Sequence, residues 1–301
     1  MKTEQAHSPA SGRDAALRRP RTAQRVVPTI WLNLVCLDAP IVAVVWLWLF
    51  ARTFHAPLHS GNALALFLTA WLIYLADRLA DAVSLTAGTP RSLRQDFCLR
   101  HREIWISALL LVGGFDLYVI WRTIAPGTFF AGAVVGILAV IYLALNYPRG
   151  LVWRWLAAKE LAIGLLFTAG TLVALLPTAP PMDPTFLASG VAFGALCSLN
   201  CISIAWWERE LDRAQHKVSI ATRHPGFARQ AGKICGGLAL GSLAMMFIIP
   251  PARPVFGCVA VSALLLALLE FSPGRLSDDR RTALADLVLL TPILPLAAMV
   301  L

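Results

Sequence analysis

The chain has 301 residues, of which 58% are hydrophobic and 14% charged, with a mean hydropathy of +0.68. Soluble domains carry about 25% charged residues, so this composition excludes an ordinary soluble protein and points to a bilayer. A net charge of +9 raises the prospect of nucleic acid, which the placement of the basic residues removes.

Residues 1–28 hold Lys2, Arg13, Arg18, Arg19, Arg21 and Arg25 among Ser, Pro and Ala, too polar to build a core. They read as a disordered cytoplasmic tail ahead of a membrane domain over 29–301. Arg18-Arg19-Pro20-Arg21 has the look of a twin-arginine export signal, but eight further apolar runs follow the first, so cleavage would release no soluble chain.

Runs long enough to cross a bilayer, which takes about 20 apolar residues, are predicted near 29–51, 61–82, 104–122, 127–146, 156–177, 185–207, 232–250, 254–271 and 283–301. The expected fold is therefore an all-α integral membrane bundle of nine transmembrane helices. Ala125-Pro126-Gly127 and Pro250-Pro251 suit tight connections. With the N-terminus inside, 23 of the 26 Lys and Arg fall on the cytoplasmic side, and only Arg52, Arg122 and Arg253 lie elsewhere. That asymmetry predicts a cytoplasmic-membrane protein with its N-terminus in the cytoplasm, and it accounts for the basic charge without nucleic acid.

Two acidic pairs stand at the ends of apolar runs. Asp77 and Asp81 are four residues apart, so on a helix both carboxylates leave the same face. Glu208 and Asp212 repeat the spacing at an offset of 131 residues from Asp77 and Asp81 respectively. A four-helix internal repeat would produce that offset, and so would coincidence. Carboxylates abutting hydrocarbon are costly unless paired or metal-bound, and Mg²⁺ is usually held by one or two carboxylates plus phosphate oxygens. Basic residues lie close by: Arg78, Arg91, Arg94, Arg100 and Arg102 after the first pair, Arg209, Arg213, Lys217 and Arg223 after the second, and Arg149, Arg154 and Lys159 in a third cytoplasmic loop. Together they would hold a polyanion such as a diphosphate. Singly, each reads equally as an interfacial residue that enforces topology.

These features resemble the UbiA-type intramembrane prenyltransferase superfamily over about residues 29–301. Asp77 and Asp81 match the last two carboxylates of the family's first motif, whose Asn and first Asp are replaced here by Ile73 and Tyr74. Glu208-Arg209-Glu210-Leu211-Asp212-Arg213, followed by His216-Lys217-Val218-Ser219, is similar to the second motif with Glu in place of its first Asp. Asn146-Tyr147-Pro148-Arg149, with Arg154 and Lys159 later, is similar to the stretch after the fourth helix, while Pro90-Arg91-Ser92 is the nearest remnant of a segment common in quinone-pathway members.

The resemblance implies a UbiA-like bundle built from a four-helix pseudo-repeat. It also implies a reaction in which Mg²⁺, held by Asp77, Asp81, Glu208 and Asp212, and the basic residues Arg78, Arg91, Arg149, Lys159, Arg213 and Lys217 bind an isoprenyl diphosphate. The C–O bond ionises and an allylic cation attacks an aromatic or lipid acceptor. A cation needs a dry, aromatic-walled chamber, for which Trp71, Tyr74, Tyr142, Phe167, Trp206 and Trp207 are candidates, although Trp and Tyr also anchor membrane interfaces. Asp38, with Asn33 five residues before it, and Asp116 lie inside predicted spans. An intramembrane carboxylate is functional by default, and a buried hydrogen-bond partner otherwise; Pro40 suggests a kink beside Asp38.

The six cysteines, Cys197 and Cys201 included, show no zinc spacing, and His55 and His59 flank Pro57, which disfavours a helical ligand pair. The leading expectation is a Mg²⁺-dependent prenyltransferase. Its alternatives are a terpene cyclase on the same fold, a catalytically degenerate lipid-binding protein, or a transporter. A transporter favours charges near the bilayer midplane, whereas these pairs sit at the membrane edge. The isoprenyl diphosphate and the lipid bilayer are the expected partners; nothing in the sequence points to an obligate protein partner.

Overall fold

A computed structural model describes residues 28–146, 159–176, 183–271 and 276–298. Every regular element among them is a helix. Seven helical stretches are long and apolar enough to cross a membrane, namely Ser60–Val83, Arg102–Thr123, Pro126–Asn146, Pro184–Trp207, Ala231–Ile248, Pro250–Glu270 and Asp278–Ala298.

The first predicted span, 29–51, is two helices, α1 (Pro28–Leu34) and α2 (Asp38–Thr53). Cys36 adopts a left-handed backbone (φ 59°), Cys36 N–H donates to Asn33 O at 3.3 Å, and Leu37 N–H donates to Leu32 O at 2.9 Å. That bond pattern is a Schellman stop, usually built on glycine. The break thus precedes Asp38, and Pro40 sits in the first turn of α2, where its missing N–H is harmless.

The chain continues with α3 (Ser60–Val83), a short α4 (Leu93–Arg100), α5 (Arg102–Thr123) and α6 (Pro126–Asn146). Next come α7 (Lys159–Leu172), prolonged by a 3₁₀ turn over Val173–Leu175, and α8 (Pro184–Trp207). Of the predicted span 156–177, residues 156–158 and 177 lie outside the described residues. Three short helices follow, α9 (Arg209–Ala214), α10 (Ile220–Arg223) and α11 (Pro225–Ala228), and then α12 (Ala231–Ile248) and α13 (Arg253–Glu270). The last run starts earlier than predicted, as α14 (Asp278–Leu287), and reaches α15 (Ile293–Ala298) through a 3₁₀ turn and the bend at Thr291-Pro292.

Lipid offers the helices no water to escape, so close approach and packing hold them together. Trp46 of α2 is fully buried and stacks on Phe193 of α8 with ring centroids 4.3 Å apart, and its Nε1–H donates to Leu289 O at 2.8 Å. Between α7 and α8 the backbones nearly touch: a Cβ on Gly164 would lie 2.6 Å from Ser198 N, which explains the glycine. On α5 Leu111 and Trp121 are 74% and 86% exposed, and on α6 Phe130 is 74% exposed. An apolar patch of that kind belongs against acyl chains.

The C-terminal ends of α3 and α8 and the N-terminal ends of α7 and α14 share one end of the bundle. Contacts among these ends, given below, establish that arrangement. Both acidic pairs lie there.

Candidate functional site

Asp77 and Asp81 occupy the last two turns of α3, a continuous helix from Ser60 to Val83. Glu208 caps the C-terminus of α8 and the N-terminus of α9 at once, and Asp212 N–H still donates to Glu208 O at 2.9 Å. The i,i+4 relation therefore survives the junction.

The two acidic segments are cross-paired. Lys217, from beyond α9, forms an ion pair with Asp81 Oδ1 on α3, whose Oδ2 accepts from Gln95 Nε2 at 2.8 Å. Reciprocally, Arg94 of α4 donates from Nη2 to both oxygens of Glu208, at 2.7 and 2.5 Å, and Thr282 Oγ1 of α14 donates to Oε1 at 3.3 Å. Gln215 joins the same seam, donating to Gln95 Oε1 at 2.9 Å and to Pro90 O at 2.7 Å.

Local backbone chemistry sets this arrangement. Ser92 and Gln95 form a capping box that starts α4 and orients Gln95 and Arg94. Lys217 is positioned by a second Schellman stop: His216 takes φ 54°, Lys217 N–H donates to Asp212 O at 2.8 Å, and His216 N–H donates to Arg213 O at 3.1 Å.

Asp212 lies near Lys159 and Glu208 and is hydrogen-bonded by Ser219. Burial pushes its carboxyl above the usual range; the Lys159 charge opposes that shift and the Glu208 charge adds to it. Asp77 neighbours Arg78, and Tyr142 of α6 shares surroundings with Asp77, Cys201 and Glu160. A small cleft beside the Arg94–Glu208 pair is lined by Asn33, Leu93, Asp279 and Thr282. Arg94 Nη1 is buried without a partner among the described residues, a donor suited to an oxyanion.

Other expected site residues face elsewhere. Arg213 pairs with Glu210 at 2.9 Å on the exposed side of α9, and Arg91 lies 4.0 Å from Asp96. Arg78 turns inward, donating to Tyr74 Oη at 2.6 Å with its guanidinium 4.7 Å from the Tyr74 ring centroid. Trp206 is covered by Arg209 at 4.0 Å, while Trp207 is buried and donates to Glu270 at 2.5 Å. Trp71 donates to Val35 O at 3.0 Å beside Tyr74. Phe167 packs into the Trp46 and Phe193 core with its ring centroid 6.3 Å from that of Phe193. Asp38 is buried against Asn33, and Asp116 accepts from Thr69 at 2.7 Å between α5 and α3. Arg149 and Arg154 lie outside the described residues.

Gln95, Gln215, Thr282, Glu160, Asn200 and Asp286 escaped the sequence reading. Glu160 is 2% exposed, accepts from Ile220 N–H at 3.2 Å through Oε1 and leaves Oε2 unpartnered among the described residues. The rule that singled out Asp38, a polar residue inside an apolar run, applies equally to Glu160, Asn200 and Asp286. Gln95 and Gln215 carried no such signal.

Among the described residues no three His, Cys, Asp or Glu side chains converge. Comparison with family models, curated proteins and solved structures gives no match.

Proposed function

We propose that this chain is an integral-membrane transferase that binds an isoprenyl diphosphate at its acidic end and passes the prenyl group to an aromatic or lipid acceptor. The observation that carries this reading is the reciprocal pairing of Lys217 with Asp81 and of Arg94 with Glu208. It gathers cations and carboxylates from sequence-distant loops at the edge of an apolar bundle, the setting an amphiphile with an anionic head requires. The proposal includes nine passages, counting α1–α2 and α7 as the two beyond the seven long spans, a pseudo-repeat relating the acidic segments, and an acidic end facing the cytoplasm.

Asp212, half-buried beside Glu208 and facing Lys159, would take up part of an arriving cation's charge. Mg²⁺ entering with the diphosphate would be held by phosphate oxygens and by Asp77, Asp81 or Asp212, and would draw charge from the leaving group. Glu208, with both oxygens on Arg94, serves in this reading to hold α4 against α8. Lys159, Lys217 and the unpartnered Nη1 of Arg94 supply donors to the diphosphate.

The test supplies washed membranes containing the protein with Mg²⁺ and farnesyl, geranylgeranyl or longer diphosphates, with and without an aromatic or lipid extract. Diphosphate release that needs the extract and disappears in Asp77→Ala supports transfer. A cyclic hydrocarbon or alcohol formed without extract makes the protein a cyclase instead. No release under any condition leaves a non-enzymatic lipid binder.

A further inference from the structure

Helix α12 carries a lysine in line with its lipid-facing side chains. Lys233, Gly237, Leu240, Ala244 and Phe247 follow one another at the four- and three-residue spacing that keeps them on one helix face, and all five are exposed. Leu240 and Phe247 are 70% and 65% exposed, so this face meets acyl chains, whereas Cys235, Ala239 and Ser242 on the other side are buried. A Cβ on Gly237 or Gly241 would meet nothing within 4 Å, which leaves a shallow open track below Lys233.

The lysine stands at the membrane boundary of the acidic end. A Cβ on Gly232 would lie 2.8 Å from Glu270 Cγ, and Glu270 accepts from Trp207, the neighbour of Glu208, so α12 begins at the same end of the bundle as the candidate site. Ala231–Ile248 has 18 residues, about 27 Å at 1.5 Å per residue, close to the thickness of the hydrocarbon core. Its third residue, Lys233, is therefore at headgroup level. One turn earlier Arg229 is also exposed, with right-handed helical backbone at Arg229 and Gln230 leading into α12. Phe227 beside it is 47% exposed, an aromatic of the kind that settles at a membrane interface.

Neither cation has an anion of its own. Among the described residues Arg229 and Lys233 make no ion pair. The sequence has no Asp or Glu between Asp212 and Glu270, and the Glu270 carboxylate is engaged by Trp207. A basic residue that only enforced topology could sit anywhere in a loop. Lys233 is instead inside a helix, above an open apolar track, with a second cation one turn away.

We propose that Arg229 and Lys233 form a binding site for an anionic phospholipid in the leaflet at the acidic end, with its phosphate between the two cations and an acyl chain along Gly237 and Gly241. The inference is independent of the transferase reading. Charge complementarity selects the lipid class: a zwitterionic headgroup would bring its own ammonium against Arg229 and Lys233, and an anionic one brings none.

The experiment is native mass spectrometry of the full chain released from detergent micelles and titrated with dioleoyl phosphatidylglycerol or dioleoyl phosphatidylcholine. The wild type should bind its first phosphatidylglycerol more tightly than its first phosphatidylcholine. Arg229→Gln with Lys233→Gln should weaken that first phosphatidylglycerol by about tenfold and leave phosphatidylcholine unchanged. Arg229→Lys with Lys233→Arg, which keeps both charges, should restore it. Arg100→Gln with Arg102→Gln removes as much charge from α4 and α5 and should leave the first binding event as it is. If the glutamine pair fails to fold, Gly237→Leu, which fills the track and keeps both cations, should weaken phosphatidylglycerol instead. Equal affinity for the two lipids, glutamine and Gly237→Leu variants that bind like the wild type, or an equal loss on removing Arg100 and Arg102 overturns the proposal. Glycerol 3-phosphate competing as well as the lipid would assign a soluble phosphate site, and a wild-type dimer that the glutamine pair dissolves would assign this face to a second copy; either result also overturns it.

Discussion

At the scale of single residues the acidic end is held by pairs whose partners are largely withdrawn from solvent. Arg94 and Glu208 have side chains 11% and 14% exposed and make a bidentate contact, so removing one member strands the other. Arg94→Ala is expected to destabilise the protein by about 3 kcal/mol, the low end for breaking a buried pair. Arg94→Met with Glu208→Met should lose much less, as unfolding midpoints in detergent would register. Asp212 makes a pH prediction. Its folded carboxyl is raised by burial above the unfolded value, so folding favours the protonated form, and this contribution is largest below the unfolded pKa and is lost as pH rises through the folded pKa. Asp212→Asn should therefore raise the melting temperature at neutral pH and leave it nearly unchanged in acid; an equal gain at both would assign the effect to packing. The four motif carboxylates were legible because charge beside an apolar run is costly. Their partners Gln95, Gln215 and Thr282 were not, because short polar residues in loops and helix ends are ordinary and only the fold brings them together.

At the scale of elements, three helices end on left-handed residues that are not glycine: Cys36 after α1, His55 after α2 and His216 after α9. Each repeats the paired bonds of the Schellman stop; after α2, His55 N–H reaches Arg52 O at 3.5 Å and Ala56 N–H reaches Ala51 O at 2.9 Å. This is why the division of 29–51 was hidden: Val35-Cys36-Leu37 reads as a continuing apolar run, without the glycine or proline that announces a stop. Long spans such as Ser60–Val83 and Pro184–Trp207 were legible from length and hydropathy alone. His216 has the clearest functional consequence, since its conformation aims Lys217 across to Asp81. His216→Val puts a β-branched side chain in a left-handed backbone and should cost about 1–2 kcal/mol, with loss of the Lys217–Asp81 pairing. His216→Gly should keep the turn. Thermal unfolding together with cross-linking of Lys217 to Asp81 by a carboxyl-to-amine reagent would separate the two variants, and equal behaviour would mean the turn is held by the surrounding fold rather than by this residue.

At the scale of the whole molecule, the charge asymmetry of the sequence and the contacts of the structure bear on the same question from independent directions. The sequence places the loops after Asp81 and after Glu208 on one side because basic residues concentrate there. Hydrogen bonds from Gln215 to Pro90 and Gln95, with the Arg94–Glu208 pair, join those loops physically, which only a common compartment permits. Contacts fix sidedness only relative to one another; the absolute side rests on the 23 of 26 basic residues. Reporters fused after residues 85, 215 and 278 should therefore all report the cytoplasm, and reporters after 57 and 125 the opposite compartment. If the first three agree with one another but report the outside, the orientation rule has failed and the fold stands. If 85 and 215 disagree, no arrangement of these helices can pair Lys217 with Asp81, and both the candidate site and the function built on it are lost.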